Sequence, residues 1–358
     1  MPPLINHSLL EEVKSNTNNL LKEYFAQKIN EAEDLDSNYA QLWREITNLS
    51  AAGGKRLRPY ISVLGYKLYG GDSLDYILPV AASQELLHLC MLVHDDIIDR
   101  ELIRYGVGNL THRYLQIYER NIPNKEDRLH FANSASLIGG DLLLSGAYEV
   151  ILKSSISDKD KLIAQNYLAN SISQVAGGEL LDTEASFTPY EHVDPTKIAL
   201  LKTARYSFVF PFKTGAAIAG ANASELDNIQ KFAESLGIAY QLRDDIIGIF
   251  GNEHETGKSN KGDLAEGKRT YLILKALELA DNSQLTTLNQ YIGKQDIANS
   301  EADTIRQIII DTGSLDATEQ LISNYAASAE TLINTITKNQ SYENELQYLI
   351  QLTTQRSR

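Results

Sequence analysis

Cysteine is almost absent from this chain: Cys90 is the only one in 358 residues. No intrachain disulfide can form, a cysteine-rich zinc site is excluded, and a reducing, cytoplasmic setting is expected. No window offers roughly 18 uninterrupted apolar residues, so no transmembrane segment is expected. The opening residues, MPPLINHSLLEEVKSN, lack the basic start and apolar run of a signal peptide. Positive charge is also short. Lysine and arginine total 33 against 47 aspartates and glutamates, a net charge of −14. Such a surface repels nucleic acid and anionic lipid unless a local patch overrides it, so no nucleic-acid partner is expected. No glycine-rich stretch follows a strand-like run, which argues against a dinucleotide fold. Strand alternation bounded by hairpin turns, repeats of solenoid period and low-complexity linkers are all missing.

What remains is helical patterning. Leu9, Leu10, Val13, Leu20, Leu21 and Phe25 recur at helical spacing, and Tyr39, Leu42, Trp43 and Ile46 continue it. Further helical runs cover residues 60–69, 77–99, 130–153, 159–181, 197–219, 224–249, 271–279, 305–312 and 318–337. Loops are expected at 105–109, 121–127, 187–195 and 251–268. These predict one all-α domain over residues 1–358, a bundle of about ten or more helices around a central cavity.

Two carboxylate clusters interrupt that apolar pattern. HDDIID, at residues 94–99, ends a long apolar run. Asp95 and Asp99 are four apart and project from nearly the same helix face. Like charges at that spacing repel by roughly 0.2–0.5 kcal/mol on an isolated helix, and apolar surroundings raise the cost. A bound cation removes it, and an all-oxygen ligand set suits magnesium better than zinc. QLRDDIIG, at 241–248, repeats the pair as Asp244 and Asp245, with Gln241 one turn before Asp244. Acids on two such helices can hold several magnesium ions around a diphosphate and neutralise charge as it leaves. The scarce cations gather in glycine-bearing stretches: Lys55, Arg56 and Arg58 in GGKRLRP at 53–59, and Lys258, Lys261, Lys268 and Arg269 near the second cluster. Glycines before Lys55 let backbone amides approach an anion, and Arg58 can grip phosphate with two hydrogen bonds.

The order of these elements resembles the trans-isoprenyl diphosphate synthase (polyprenyl synthetase) family. GGKRLRP is followed by His88, seven residues before DDIID, then Arg104, GGDLLL at 139–144, KTA at 202–204, YQLRDDIIG, GK at 257–258 and GDLAEGKRT at 262–270. The resemblance spans a motif core of 53–270, with C-terminal helices in 271–358. It implies the isoprenoid synthase type I fold and a prenyltransferase that condenses isopentenyl diphosphate with an allylic diphosphate. It also implies a homodimer and about three Mg2+ ions with diphosphate bound. By resemblance, Asp95, Asp99 and Asp244 are metal ligands supported by Asp96 and Asp245. Lys55, Arg58 and His88 serve isopentenyl diphosphate, and Arg104, Lys202, Lys258 and Lys268 grip the allylic diphosphate. Thr203 and Gln241 face the allylic carbon.

The chain departs from the family pattern in several places. Gly248 stands where a third aspartate is usual, Tyr105 where a second arginine is usual, and Glu179 where glutamine is usual. GVGNLTH loosens the usual Gly-x-Pro-Thr. Weaker isopentenyl diphosphate binding is expected from Tyr105. In the family this chain resembles, residues about a turn before the first aspartate floor the product tunnel; Cys90, Met91 and Leu87, one to two turns before Asp95, are not aromatic, so the resemblance implies a product longer than C15. Two other functions stay open: a regulatory or weakly active subunit of a heteromeric synthase, which Tyr105 and Gly248 motivate, and a class I terpene cyclase, which Gly248 and Asn252 disfavour.

Overall fold

The computed structural model describes residues 8–253 and 259–355. It is almost entirely helical, and the chain divides into two compact units. The first comprises residues up to 168 together with 214–220; the second comprises 169–213 and everything from 221 onward.

The first unit is built from α1 (Ser8–Glu33), α2 (Ser37–Ala52), α3 (Leu57–Leu68), α4 (Leu74–Ile98), α5 (Leu110–Ile117), α6 (Lys125–Lys153) and the start of α7 (Asp158–Ala185). Short polar residues set where these helices begin. Asp36 accepts from the Asn38 and Tyr39 amides, Ser73 from Tyr76, Asn109 from His112, and Asn124 from Glu126 and Asp127. Each such cap contributes about 1 kcal/mol. α4 is apolar on all sides and buried along most of its length, as a central helix must be. Its closest companion is α6. In GGDLLL, Gly140 permits this approach and Gly139 permits that of α5. A Cβ on Gly140 would lie 2.1 Å from His94 Nε2, and one on Gly139 would lie 2.8 Å from Leu110 Cδ2. That motif therefore serves packing. By length and composition alone α4 and α6 could each cross a membrane, which is weak evidence for a span because 67% of the α4 window is buried within the protein.

The stretch after α4 carries a small antiparallel hairpin, β1 (Ile103–Arg104) and β2 (Val107–Gly108), with Arg104 opposite Val107. Two residues per strand are too few to show alternation, so the sequence pattern reads only as loop.

The second unit centres on α8 (Ala223–Phe250), opened by a capping box between Asn222 and Glu225. Ile238, Ala239, Leu242, Ile246 and Ile249 of α8 share a core with Leu264, Leu272, Ile273, Leu288, Ile305, Ile309 and Ile322 from later helices. Helices Asn282–Tyr291 and Gln340–Thr354 lie outside the sequence-predicted runs. Residues 197–219 also hold a surprise: Ala199–Val209 is a π-helix. Two glycines let its wide backbone pack closely. A Cβ on Gly178 would meet the Lys202 amide nitrogen at 2.3 Å, and one on Gly237 would meet Ala204 Cα at 2.3 Å. Widened turns of this kind recur at functional sites, and this one carries Lys202 and Thr203.

Candidate active site

In the first unit, the loop before α3 is shaped by left-handed backbone at Gly54 (φ +114°) and Arg56 (φ 53°). Arg56 is buried and committed to the scaffold. Its Nε donates to Asn18 Oδ1 (2.8 Å), Nη1 to Glu85 Oε1 (2.8 Å) and the Gly53 carbonyl (3.1 Å), and Nη2 to the Ser50 carbonyl (2.8 Å). Three cations of GGKRLRP look alike in sequence, but Arg56 holds the loop in place, while Lys55 is exposed and Arg58, in the first turn of α3, is half-buried. Burial holds the His88 imidazole well below its usual range, and the charges of Arg58, Arg104 and Arg56 push it further down against Asp95. The ring is therefore neutral at pH 7 and offers one N–H as a donor.

The first carboxylate cluster closes α4, with the Asp99 amide donating to the Asp95 carbonyl at 2.8 Å. Asp95 and Asp99 are half-buried, whereas Asp96 turns inward and is 3% exposed. Asp96 Oδ1 accepts from Arg104 Nε (2.8 Å) and closely from Nη2. Arg104 Nη2 also lies 3.3 Å from Asp95 Oδ2 and 3.2 Å from Glu101 Oε2. Burial raises the Asp96 carboxyl to about 6, although Arg104 opposes the rise. Burial likewise disfavours the Arg104 charge, but Asp96, Asp95 and Glu101 more than offset it and raise the guanidinium further. One buried guanidinium thus faces three acids. Cys90 and Leu87 are fully buried on the same helix, and Met91 is half-buried. Cys90 Sγ sits 3.9 Å from His94 Nδ1.

The second unit assembles the other set. Lys202 Nζ is held by Glu179 Oε2 (3.0 Å) and Asp182 Oδ2 (2.7 Å). Thr203 Oγ1 donates closely to Gln241 Oε1, and Gln241 Nε2 donates to Asp245 Oδ1 at 2.8 Å. Burial holds the Asp245 carboxyl well above its usual range. The Gln241 hydrogen bond opposes this, while Asp263, Asp244 and Asp182 reinforce it. Lys268 Nζ pairs with Glu266 Oε2 (3.0 Å) and Asp263 Oδ1 (3.3 Å). Lys258 lies outside the described residues.

Sequence reasoning missed Asp263. A Cβ on Gly248 would lie 2.1 Å from Asp263 Oδ2. An aspartate at 248 could not be built unless Asp263 moved, so a carboxylate from helix Gly262–Glu266 already occupies that space. The signal was present in GDLAEGKRT, but its aspartate was passed over for its lysine. Within each unit the donors suit magnesium. Asp95 and Asp99 are carboxylates one turn apart, and Asp182, Asp244, Asp245 and Asp263 together offer only oxygen and an excess of negative charge.

Residues 40–309 match the polyprenyl synthetase family. The chain belongs to that family. A geranylgeranyl diphosphate synthase of Sulfolobus acidocaldarius is 28% identical over 93% of this chain and 98% of its own. A geranylfarnesyl diphosphate synthase of Aeropyrum pernix is 30% identical over 85% of this chain and 90% of its own. The fold matches a geranylgeranyl pyrophosphate synthase of Corynebacterium glutamicum, solved with isoprenyl diphosphate and magnesium. Its TM-score is 0.89 at 26% identity, covering 98% of this chain and 99% of that one. This polyprenyl synthetase accordingly has the all-α isoprenoid synthase fold and is a transferase of prenyl groups.

Proposed function

We propose that this polyprenyl synthetase elongates an allylic diphosphate with isopentenyl diphosphate to a linear product longer than C15. The observation that carries this is the first unit's cation loop, with Lys55, Arg58 and neutral His88 beside a half-buried acid pair. A loop cation, a forked guanidinium and a neutral N–H donor make a cradle for a diphosphate that bears no reacting bond. Lys202, Lys258 and Lys268 grip the second, allylic diphosphate. Asp95 and Asp99 of the first unit would hold magnesium, as would Asp244, with Asp245 and Asp263, of the second. Bound magnesium would supply the positive charge that lets the allylic C–O bond ionise.

The chain's own groups then handle the cation. Thr203 and Gln241 direct oxygen dipoles at the allylic carbon, the Gln241 carbonyl having its orientation set by Thr203 and its amide by Asp245. The isopentenyl double bond attacks the allylic carbon, a new C–C bond forms, and a proton leaves to the departing diphosphate. Water must be kept from the cation, which it would otherwise quench. Small Cys90 and aliphatic Leu87 and Met91 leave no aromatic floor near the first aspartate, and relatives named for geranylgeranyl and geranylfarnesyl products support that length. Leu129, Leu137, Ile138 and Leu152 are exposed along α6 and support a homodimer. A single, buried thiol at Cys90 fits a cytoplasmic setting.

The test is mass analysis of products from the purified protein with Mg2+, isopentenyl diphosphate and several allylic primers. Products longer than C15 are expected, and Cys90→Phe should shorten them. A sole C15 product overturns the length reading, and elongation only after a second subunit is added overturns independent catalysis.

A further inference from the structure

The turn of the β1–β2 hairpin is an unexpected place for tyrosine. Both central residues have positive φ, 54° at Tyr105 and 75° at Gly106, the arrangement of a type I′ turn. Asparagine or glycine suits the first position, because left-handed backbone crowds a larger side chain. The surroundings hold Tyr105 there nonetheless. Arg104, the residue before it, is locked by Asp96, Asp95 and Glu101. The Asn109 amide donates to the Leu102 carbonyl (2.9 Å) and its side chain to the Glu101 carbonyl (2.7 Å), closing the hairpin's base.

The strained turn delivers an aromatic ring onto the cation loop. A Cβ on Gly53 would lie 2.9 Å from Tyr105 Cγ, 3.0 Å from Cδ1 and 3.2 Å from Cδ2. Gly53 is extended (φ −179°), a conformation open to any residue, so the ring and not the backbone demands glycine. The Gly53 carbonyl in turn accepts from Arg56 Nη1. Ring and guanidinium together fix the chain just before Lys55. Burial and nearby Glu85 hold the phenol up to about 12, so its ring stays neutral among Arg104, Arg58 and Arg56.

We propose that Tyr105 is a positioning residue for isopentenyl diphosphate: its ring, presented by the hairpin turn, pins the Gly53 backbone and thereby sets Lys55 and Arg58 for the diphosphate. This rests on the reading that this loop binds isopentenyl diphosphate. Strain retained at one residue, against a glycine that accommodates it, is the pattern of a position kept for function.

Calorimetric titration of isopentenyl diphosphate into the full-length, Mg2+-loaded protein, without an allylic partner, measures binding free of turnover. Tyr105→Asn suits the left-handed turn but removes the ring. It should weaken binding about tenfold while the melting temperature stays level or rises. Tyr105→Phe keeps the ring and should stay within about twofold of the parent. Gly53→Ala should weaken binding in the parent and change little in the Tyr105→Asn background, because the steric conflict has gone. Parent-like affinity in Tyr105→Asn overturns the proposal, as does additivity of the two substitutions. A general loss of stability in Tyr105→Asn also overturns it, by reducing Tyr105 to a structural residue. Lys55→Ala separates the levels. If it leaves isopentenyl diphosphate binding intact, the loop reading itself fails. If it weakens binding and Tyr105→Asn does not, only the positioning role fails.

Discussion

The two aspartate clusters look like copies in sequence but are held by different partners. In the first, Arg104 lies among Asp95, Asp96 and Glu101, so the protein supplies its own counter-charge. In the second, Asp244 and Asp245 stand with Asp182 and Asp263, and Asp245 is driven well above its usual carboxyl range. The lysines there, Lys202 and Lys268, are each shared between two acids. The first cluster's acids thus converge on one buried guanidinium, whereas the second's lean on two lysines, and both keep surplus acid that a cation would relieve.

The largest expected effect comes from removing the first cluster's counter-charge. Arg104→Ala leaves buried Asp96 unpaired and should cost about 3–5 kcal/mol in denaturant unfolding. Arg104→Lys should rescue little, since an ammonium cannot reproduce the fork. A smaller loss would mean the two clusters differ less than their contacts suggest. Next, Asp245→Asn should relieve the second cluster. In chelator the melting temperature should rise by about 2–4 °C, and the gap between chelator and Mg2+ should narrow. A fall in chelator would contradict the surplus-acid account. Third, Glu179→Gln frees Lys202 of one partner and should lower KM for the allylic diphosphate on the order of threefold, the scale of one part-exposed ion pair. An unchanged KM with a changed kcat would point to a different role for Glu179.

The smallest effect concerns pH. His88 has a folded pKa held below its usual value, so the unfolded chain takes up a proton first as pH falls. The folded protein therefore loses stability as pH drops below about 6.5 and keeps losing it until the folded pKa is reached. Glutamine has no such proton. His88→Gln should match the parent in urea unfolding at pH 8 and exceed it at pH 5. Equal stability at both values would show that His88 is not held neutral by its surroundings.

The candidate site residues were nominated from the linear order of motifs. Asp95 and Asp99 could be paired from helical spacing alone, and Lys202, Thr203 and Gln241 from the motifs that carry them. What spacing could not reveal was which like residues differ. Arg56 and Arg58 are two positions apart, yet Arg56 is bonded to Asn18, Gly53, Ser50 and Glu85. Asp95 and Asp96 are adjacent, yet only Asp96 is sealed against Arg104. Periodicity places a residue on a helix face; it does not say whether that face meets a neighbour. The π-helix at Ala199–Val209 escaped for the same reason, since glycines at 178 and 237 admit it from separate helices.

The carboxylate clusters, the cation loop and the helical class were set by local properties: apolar period, charge spacing and glycine placement within a few residues of each other. Three features were decided only by tertiary contact. Arg104 became the first cluster's counter-ion because a hairpin folds it back onto α4. Asp263 took the space beside Gly248 because a later helix packs there. Tyr105 came to rest on Gly53 because a left-handed turn aims it across the chain. Each joins residues that short-range pattern keeps apart, and only packing determines which of them meet.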